Sequence, residues 1–278
     1  MEAKARCEAR EGDDRSPKRA SLSRTVGCLP RLFSWRGLRS QKRNVKGGSL
    51  GHYGNGVAYW DARYKKDSCG HFDWYQNYAA LKSIVNTYIP NKNARILMIG
   101  CGTSNMSEEM FLDGYTDIVN IDVSPVCIDY MAKKHAKYKG LTYVVEDVCS
   151  MKFPDQHFDA AIDKGTMDTL LCEDGSWDAV RQMILQLDRV LKKESSLLEI
   201  TYGEPSARYH WLSIPSTWDT TIFTVAKPNA PRVPAAEAER GGAGWPAKIR
   251  QYSFREAKAL EMARDLKDVH FVYGSRKR

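Results

Sequence analysis

Two acidic residues and a glycine turn stand at positions where this sequence could bind a nucleoside. The apolar run Arg95–Ile99 ends in a Gly-Cys-Gly turn that begins at Gly100, and Asp122 and Asp147 follow two further apolar runs. A glycine turn lets the backbone approach a ligand, and a carboxylate after the next strand can accept hydrogen bonds from ribose hydroxyls. An acid after the third strand can meet an adenine amino group, while the amide of Val148 serves a ring nitrogen. The spacing therefore predicts an adenosine site.

A nicotinamide dinucleotide is a poorer match to the same turn. The dinucleotide fingerprint has a third glycine or alanine three residues beyond the second glycine, where helix and strand close over a pyrophosphate. That position, 105, is Asn in this chain. The sequence therefore disfavours a dehydrogenase.

The elements that must position these residues alternate along the chain. We expect helices over 59–64, 78–88 and 176–192, and a fourth helix that has Ser124 as its N-cap, begins at Pro125 and runs to about Tyr138. We expect strands over 95–99, 118–121, 141–145, 158–162 and 196–202. Strands that alternate with helices predict a parallel sheet with helices on both faces.

The alternation ends near the carboxyl terminus of the chain. Residues 220–226 and 270–273 have the composition of strands, and between them residues 228–252 are predicted to be a flexible insertion. Ser253 and Glu256 form a capping box for a helix that runs to about Leu266. Two such strands joined by a long connection suit an antiparallel pair at the edge of the sheet.

Charge divides the chain into two parts. The first 50 residues hold 13 Lys and Arg against five Asp and Glu, whereas residues 51–278 hold 29 of each, so the net charge of +8 lies in the first 50 residues. We therefore expect residues 1–50 to be a disordered basic extension or a targeting segment. The balanced remainder predicts a folded domain that does not itself bind nucleic acid. The compartment is expected to be the cytoplasm, with an organelle open through residues 1–50.

The seven cysteines and the hydropathy of the chain exclude some classes of protein. The cysteines form no CxxC pair and no zinc-finger spacing, which predicts reduced thiols and no bound metal. No stretch approaches the ~18 consecutive apolar residues of a membrane span, so we expect no membrane partner.

Seven motifs, in order along the chain, carry a resemblance to a known family. They are YWDARY (59–64), FDWY (72–75), ILMIGCG (96–102), NIDVS (120–124), EDV (146–148), DKGTMD (163–168) and LLEITYG (197–203). The chain resembles the class I S-adenosylmethionine-dependent methyltransferases. More narrowly, it is similar to the methyltransferase-like family that includes the elongation factor 1-alpha lysine methyltransferases, its plant and algal members in particular.

The resemblance implies a seven-stranded Rossmann-like sheet over residues 51–278, with helices on both faces and an antiparallel C-terminal edge pair. S-adenosyl-L-methionine is the implied cofactor, and the residues implied to bind it are Trp60, Tyr64, Trp74, Gly100, Asp122, Val123, Asp147, Val148 and Lys164. Position 98, where the family often has an acid, is Met, and the Asn/Asp-Pro-Pro-Tyr segment of many amine methyltransferases is absent at 163–166.

The implied reaction is methyl transfer to a protein lysine, with a translation factor as partner. Asp163 and Asp168 are the candidate catalytic carboxylates, because the acceptor amine must be oriented and lose its proton. Two alternatives stay open: a small-molecule methyltransferase, whose pocket would need a lid from residues 203–218 or 228–252, and a non-catalytic scaffold of the same fold. The oligomeric state, the acceptor and the degree of methylation are not predicted.

Overall fold

A computed structural model describes residues 56–66, 69–172, 177–230, 249–262, 266 and 268–278 of the 278-residue chain. The helices are α1 (Gly56–Lys66), α2 (Tyr78–Tyr88), α3 (Met106–Leu112), α4 (Pro125–Lys134), α5 (Thr166–Leu170), α6 (Trp177–Val190), α7 (Pro205–Leu212) and α8 (Phe254–Met262). The strands are β1 (Arg95–Ile99), β2 (Asp117–Asp122), β3 (Leu141–Val145), β4 (Phe158–Lys164), β5 (Leu191–Thr201), β6 (Trp218–Ala226), β7 (Ile249–Tyr252) and β8 (Val269–Lys277).

The strands of this part of the chain form one mixed sheet in the order β3-β2-β1-β4-β5-β8-β6-β7. The first five in that order are parallel, so the carboxyl ends of β1 to β5 meet at one edge of the sheet. β8 is antiparallel to both β5 and β6, and β7 is antiparallel to β6. The chain order reverses between β1 and β4, which is where open α/β sheets bind ligands.

Two apolar layers, one on each face of the sheet, hold the helices in place. One layer contains side chains of α6, α7 and α8, among them Ile184, Trp211 and Ala257. The other contains side chains of α2, α3 and α4, among them Ile84 and Met110. Because both faces of the parallel strands are covered, β1 is an uninterrupted apolar run, as a doubly covered strand requires.

The fold class predicted from the sequence is confirmed, with differences at the ends of elements. The described sheet has eight strands instead of seven, because residues 249–252 of the predicted insertion form the short edge strand β7. β5 begins at Leu191, directly after α6, since Leu191 pairs with Phe158 instead of continuing the helix. The helix after Ser124 ends at Lys134, earlier than expected. α8 is described as far as Met262, and residues 263–265, on which its predicted end depends, lie outside the described residues.

Two predicted segments lie wholly or largely outside the described residues. These are the basic residues 1–50 and most of the predicted insertion, 231–248. In the described part of the chain, no helix has the length and hydropathy needed to cross a membrane.

Candidate functional site

The glycine turn after β1 fits tightly against its neighbours. Gly100 has φ +51°, and a Cβ there would stand 2.1 Å from the Thr166 Oγ1. Gly102 also has φ +51°, and a Cβ there would stand 3.2 Å from the Tyr64 hydroxyl. Only glycine combines this backbone conformation with so close an approach. The turn therefore exposes main chain at the carboxyl edge of the sheet, as predicted.

Asp122 ends β2 and faces the same edge. Its Oδ2 accepts from the Gly102 amide at 3.0 Å and its Oδ1 from the Ser124 amide at 2.9 Å. Burial raises the pKa of Asp122 to about 6, and these two hydrogen bonds oppose the rise. A carboxylate offers about four lone-pair sites, so each oxygen keeps one for a ligand hydroxyl.

The loop after β3 contributes a residue that the sequence reasoning passed over. Glu146 and Val148 line the cleft at this edge, whereas Asp147 is exposed and its Oδ1 accepts from the Cys149 amide at 2.8 Å. The motif EDV holds two adjacent acids, and of these two Glu146 alone lines the first cavity. Glu146 is therefore the carboxylate that the structure brings to the cleft.

A buried carboxyl pair lies below the end of β4. Asp163 and Glu199 are register partners on β4 and β5, and both side chains are fully buried. Asp163 accepts from the amides of Thr166 and Met167 at 2.8 and 2.9 Å, which orients the first turn of α5. Burial, and then the neighbouring Asp163, raises the pKa of Glu199 well above its ordinary value. The raised pKa favours the neutral, protonated form of Glu199 beside Asp163.

Asp168, the second candidate catalytic carboxylate, is enclosed by donors. Arg208 donates to its Oδ1 from Nε at 3.0 Å and from Nη2 at 2.5 Å, and the Thr201 hydroxyl donates to the same oxygen at 2.5 Å. Its Oδ2 accepts from the Tyr75 hydroxyl at 2.7 Å. Asp168 and Arg208 are 3% and 5% exposed. The pair thus fixes neighbouring side chains and leaves little surface for a ligand.

Helix α1 supplies aromatic residues that cover the edge of the sheet. Trp60 and Tyr64, one turn apart, have rings inclined at 30° to each other with centroids 5.8 Å apart. The Arg63 guanidinium lies 5.6 to 5.8 Å from the ring centroids of Trp60, Phe72 and Trp74. These residues therefore place four aromatic rings and a cation beside the glycine turn.

Residues 69–77, here called the covering segment, complete this side of the site. Lys164, at the end of β4, donates to Asp73 Oδ1 at 2.9 Å and to the Trp74 carbonyl at 3.2 Å. The Thr103 hydroxyl donates to the Gly70 carbonyl at 2.8 Å. The covering segment therefore runs across the carboxyl edge and is held to β4 and to the glycine turn.

Two adjoining cavities lie between the sheet edge and these covering elements. The first has an empty volume of about 510 Å³, counted out to its open mouth, and the second about 610 Å³. Their shared lining consists of Trp60, Trp74, Gly100 and Lys164. The first adds Ile121, Asp122, Val123, Glu146, Val148, Gly165, Thr166 and Thr169, and the second adds Arg63, Tyr64, Gly70, Phe72 and the rest of the turn.

The lining fits S-adenosylmethionine. The carboxylate of Asp122 suits ribose hydroxyls, the apolar Ile121 and Val148 suit a purine, and aromatic faces suit a sulfonium cation. The cation of Arg63 suits a carboxylate in the second cavity.

Most of the predicted cofactor residues come together in this cleft. Seven of the nine line the first cavity and Tyr64 lines the second; Asp147 lies outside both. Asp163 and Asp168 line neither cavity, but Gly165 and Thr166, which lie between them in the chain, line the first. The sequence reasoning missed Arg63, Glu146, Thr166 and Thr169; Arg63, Glu146 and Thr166 stand inside the motifs YWDARY, EDV and DKGTMD, which could have pointed to them.

Comparison with known proteins finds a family model that matches this part of the chain. Residues 97–198 match the family model described as a methyltransferase domain. The chain is 33% identical over 144 residues to EEF1A lysine methyltransferase 4 of Mus musculus, which covers 51% of this chain and 56% of that protein. It is 34% identical over 145 residues to the eEF1A lysine and N-terminal methyltransferase of Homo sapiens, covering 52% of this chain and 20% of that protein.

The chain spans only part of each relative, about half the length of the first and a fifth of the second. Among solved structures, the [4+2]-cyclase SpnF matches with a TM-score of 0.50 and 19% identity, over 80% of this chain and 96% of that chain. This structural likeness concerns the fold alone. The resemblance predicted from the motifs is thus confirmed at the level of the domain.

Proposed function

We propose that this chain, whose residues 97–198 carry a methyltransferase domain, transfers the methyl group of S-adenosylmethionine to a lysine side chain of elongation factor 1-alpha. One observation carries the cofactor part of the proposal: a single cleft brings the Asp122 carboxylate, the Gly100 turn and the rings of Trp60 and Trp74 together. The acceptor part is supported by the names of the two relatives and by the motifs shared with their family.

Each part of the cleft has a task toward the cofactor. Asp122 accepts from the ribose hydroxyls, beside Val123. Val148 packs on the adenine, and Glu146, the acid of the EDV motif that lines the cleft, accepts from the adenine amino group. In the second cavity, the Gly100 turn, Tyr64, Arg63 and Lys164 surround the amino-acid portion. Arg63 binds its carboxylate, because a guanidinium and a carboxylate form paired hydrogen bonds.

Methyl transfer requires that the lysine amine be neutral and aligned with the methyl group of the donor. When bound, S-adenosylmethionine supplies an electrophilic methyl group on a sulfonium, which departs as a neutral thioether. Trp60 and Trp74 stabilise the positive charge and exclude water, and positioning supplies most of the acceleration. A lysine has a reference pKa of about 10.4, so its ammonium must lose a proton to water at the open mouth before its lone pair can bond to carbon.

Asp163 and Asp168 are proposed as positioning residues for this step. Asp163 orients α5, whose Thr166 and Thr169 line the cleft. Asp168 holds the Tyr75 hydroxyl on the other side of Gly165. Both carboxylates therefore act through side chains or amides that they fix.

The test uses the full chain with purified elongation factor 1-alpha and isotopically labelled methyl donor. We expect a mass increase on a lysine peptide of the factor, with loss of the label when Asp122→Asn replaces the wild type. Label found only in the low-mass fraction of a cell extract would favour the small-molecule alternative. A wild-type chain that binds neither S-adenosylmethionine nor S-adenosylhomocysteine in calorimetry would overturn the proposal.

A further inference from the structure

The covering segment, residues 69–77, forms one wall of the binding cleft although it belongs to no helix or strand. Residues 69–77 form a turn, a bend and irregular structure. Among the described residues, and apart from bonds that belong to helices and strands, its main chain takes part in two backbone–backbone hydrogen bonds, from Cys69 to the Tyr64 carbonyl and from Gln76 to the Trp74 carbonyl, both 2.8 Å. Its Gly70, Phe72 and Trp74 nevertheless line the cleft. The segment is therefore a wall that could leave the sheet without breaking a ladder of backbone bonds.

Side chains make the connections that the backbone does not. Asp73 accepts from Lys164 and from the Ser104 hydroxyl, which joins the middle of the segment to β4 and to the glycine turn. At its far end, the Gln76 amide donates to the Ala226 carbonyl at 2.8 Å and to His270 Nδ1 at 3.1 Å. Between these two anchors stands Tyr75.

Tyr75 adopts a backbone conformation that a tyrosine rarely takes. Its φ is +63°, in the left-handed region, where a Cβ is crowded by its own main chain. Its ring lies over Gly165, where a Cβ would stand 3.2 Å from the Tyr75 Cε2. Such a conformation persists only where the surroundings over-determine it. The contacts of the Tyr75 side chain must therefore outweigh the strain of its main chain.

The strongest of these contacts is the hydrogen bond to Asp168. The Tyr75 hydroxyl donates to the Asp168 Oδ2 at 2.7 Å, while Arg208 and Thr201 hold the other oxygen. Burial, and then the charge of Asp168, raises the pKa of Tyr75 above its ordinary value, so the hydroxyl stays a donor at every physiological pH. A hydrogen bond to a charged, immobilised acceptor is stronger than one between neutral groups.

We propose that Tyr75 is a positioning residue that latches the covering segment closed over the cofactor, and that this latch opens whenever cofactor enters or product leaves. The inference rests on the proposed function, since it takes S-adenosylmethionine as the ligand of the cleft. Closure places Trp74 over the ligand. Release of the Tyr75 hydroxyl from Asp168 removes the contact that holds the stretch between Asp73 and Gln76 against α5, while Lys164 still binds the Trp74 carbonyl. The Tyr75 hydroxyl therefore sets the rate at which the nucleoside product dissociates.

The first measurement needs no substitution. Hydrogen exchange of the full wild-type chain is followed with and without S-adenosylhomocysteine. We expect the amides of residues 69–77 to exchange readily without ligand and to gain protection when it binds, while those of β1 and β4 stay protected in both states. Equal protection of the covering segment in both states would overturn the latch.

The second measurement replaces Tyr75 by Phe, which keeps the ring over Gly165 and removes the hydroxyl. We expect S-adenosylhomocysteine to dissociate about tenfold faster in stopped-flow fluorescence, the factor that loss of one hydrogen bond to a charged group commonly produces. The covering segment of Tyr75→Phe should also lose the protection that the ligand gives it in the wild type.

Tyr78→Phe is the matched control. The Tyr78 hydroxyl also donates to a carboxylate, Asp113, at 2.8 Å, but it lies between α2 and α3 and lines neither cavity. We expect its dissociation rate to equal that of the wild type. Equal rates in all three proteins, or equal acceleration in both variants, would overturn the latch. A wild type that binds no S-adenosylhomocysteine would instead overturn the proposed function.

Discussion

The two sides of the cleft are stabilised by different kinds of contact. The sheet edge rests on parallel ladders from β1 to β5, with both faces of the sheet buried in apolar layers. The covering segment rests on side-chain contacts such as Lys164 to Asp73 and Tyr75 to Asp168. Ladders and cores open only at a cost close to global unfolding, whereas contacts of a few side chains open locally. This difference indicates that the sheet edge is a preformed wall of the binding site, whereas the covering segment can adjust to the ligand.

Gly100→Ala, on the sheet edge, should have the largest effect. A left-handed alanine is strained by roughly 1–2 kcal/mol, and its Cβ would displace Thr166. We expect calorimetry to detect no binding of S-adenosylhomocysteine and the melting temperature to fall. Gly114→Ala is the control, since Gly114 also has a positive φ but only the Lys92 Cγ within 4.0 Å. If Gly100→Ala binds the ligand normally, the edge is not preformed as described.

Asp122→Asn should weaken binding by about 100-fold, the loss of two hydrogen bonds to a charged acceptor. In the wild type, affinity should also fall as the pH drops below about 6, because protonation of Asp122 then removes its charge. Calorimetric titrations between pH 5 and 8 measure both effects. Asp117→Asn, at the other end of β2, should bind like the wild type. A pH-independent wild-type affinity would count against the role of Asp122.

Trp74→Leu tests the covering segment and should have a smaller effect. Loss of an aromatic face beside a cation commonly costs about 1 kcal/mol, and we therefore expect a binding constant weaker by about fivefold to tenfold for S-adenosylmethionine. The neutral S-adenosylhomocysteine should lose less. Trp177→Leu is the control, because Trp177 is 67% exposed and lines neither cavity. Equal losses for both ligands would show that Trp74 contributes packing alone.

Glu199→Gln should leave the affinity for S-adenosylhomocysteine unchanged and should alter only how the free energy of unfolding depends on pH. The folded pKa of Glu199 is raised, so the folded protein retains a proton that the unfolded chain releases above a pKa of about 4.3. Wild-type stability should therefore fall relative to Glu199→Gln as the pH rises from about 5, by up to about 1.4 kcal/mol per unit. Denaturant unfolding at several pH values measures this difference. Parallel pH profiles for the two proteins would contradict a protonated Glu199.

Periodicity and turn chemistry were sufficient to predict most of the architecture. The strand Arg95–Ile99 and the helix Tyr78–Tyr88 appear with the predicted ends, and the capping box of Ser253 and Glu256 forms as expected. Element ends that depend on partners were missed. Leu191 has helical spacing with α6 but pairs with β4, and β7 forms from a segment without a strand pattern because β6 offers it a free edge.

Sequence by itself determined which residues could meet a nucleoside. The spacing of Gly100 and Asp122 follows from a strand, a helix and a second strand, and parallel strands bring their carboxyl ends to one edge whatever the rest of the chain does. This local logic accounts for Gly100, Asp122 and Val148 in the first cavity, whereas Trp60, Trp74 and Lys164 were implied by the family resemblance.

Only the tertiary structure decided what the remaining charged residues do. Asp163 and Asp168 look alike in the motif DKGTMD, but a buried Glu199 from β5 faces one and Arg208 from α7 faces the other. Lys164 donates to Asp73, which is 91 residues away in the chain. Packing between distant segments decides which partners these groups have. Burial then determines the protonation state of each group and how far its side chain can move. No local pattern of residues encodes either property.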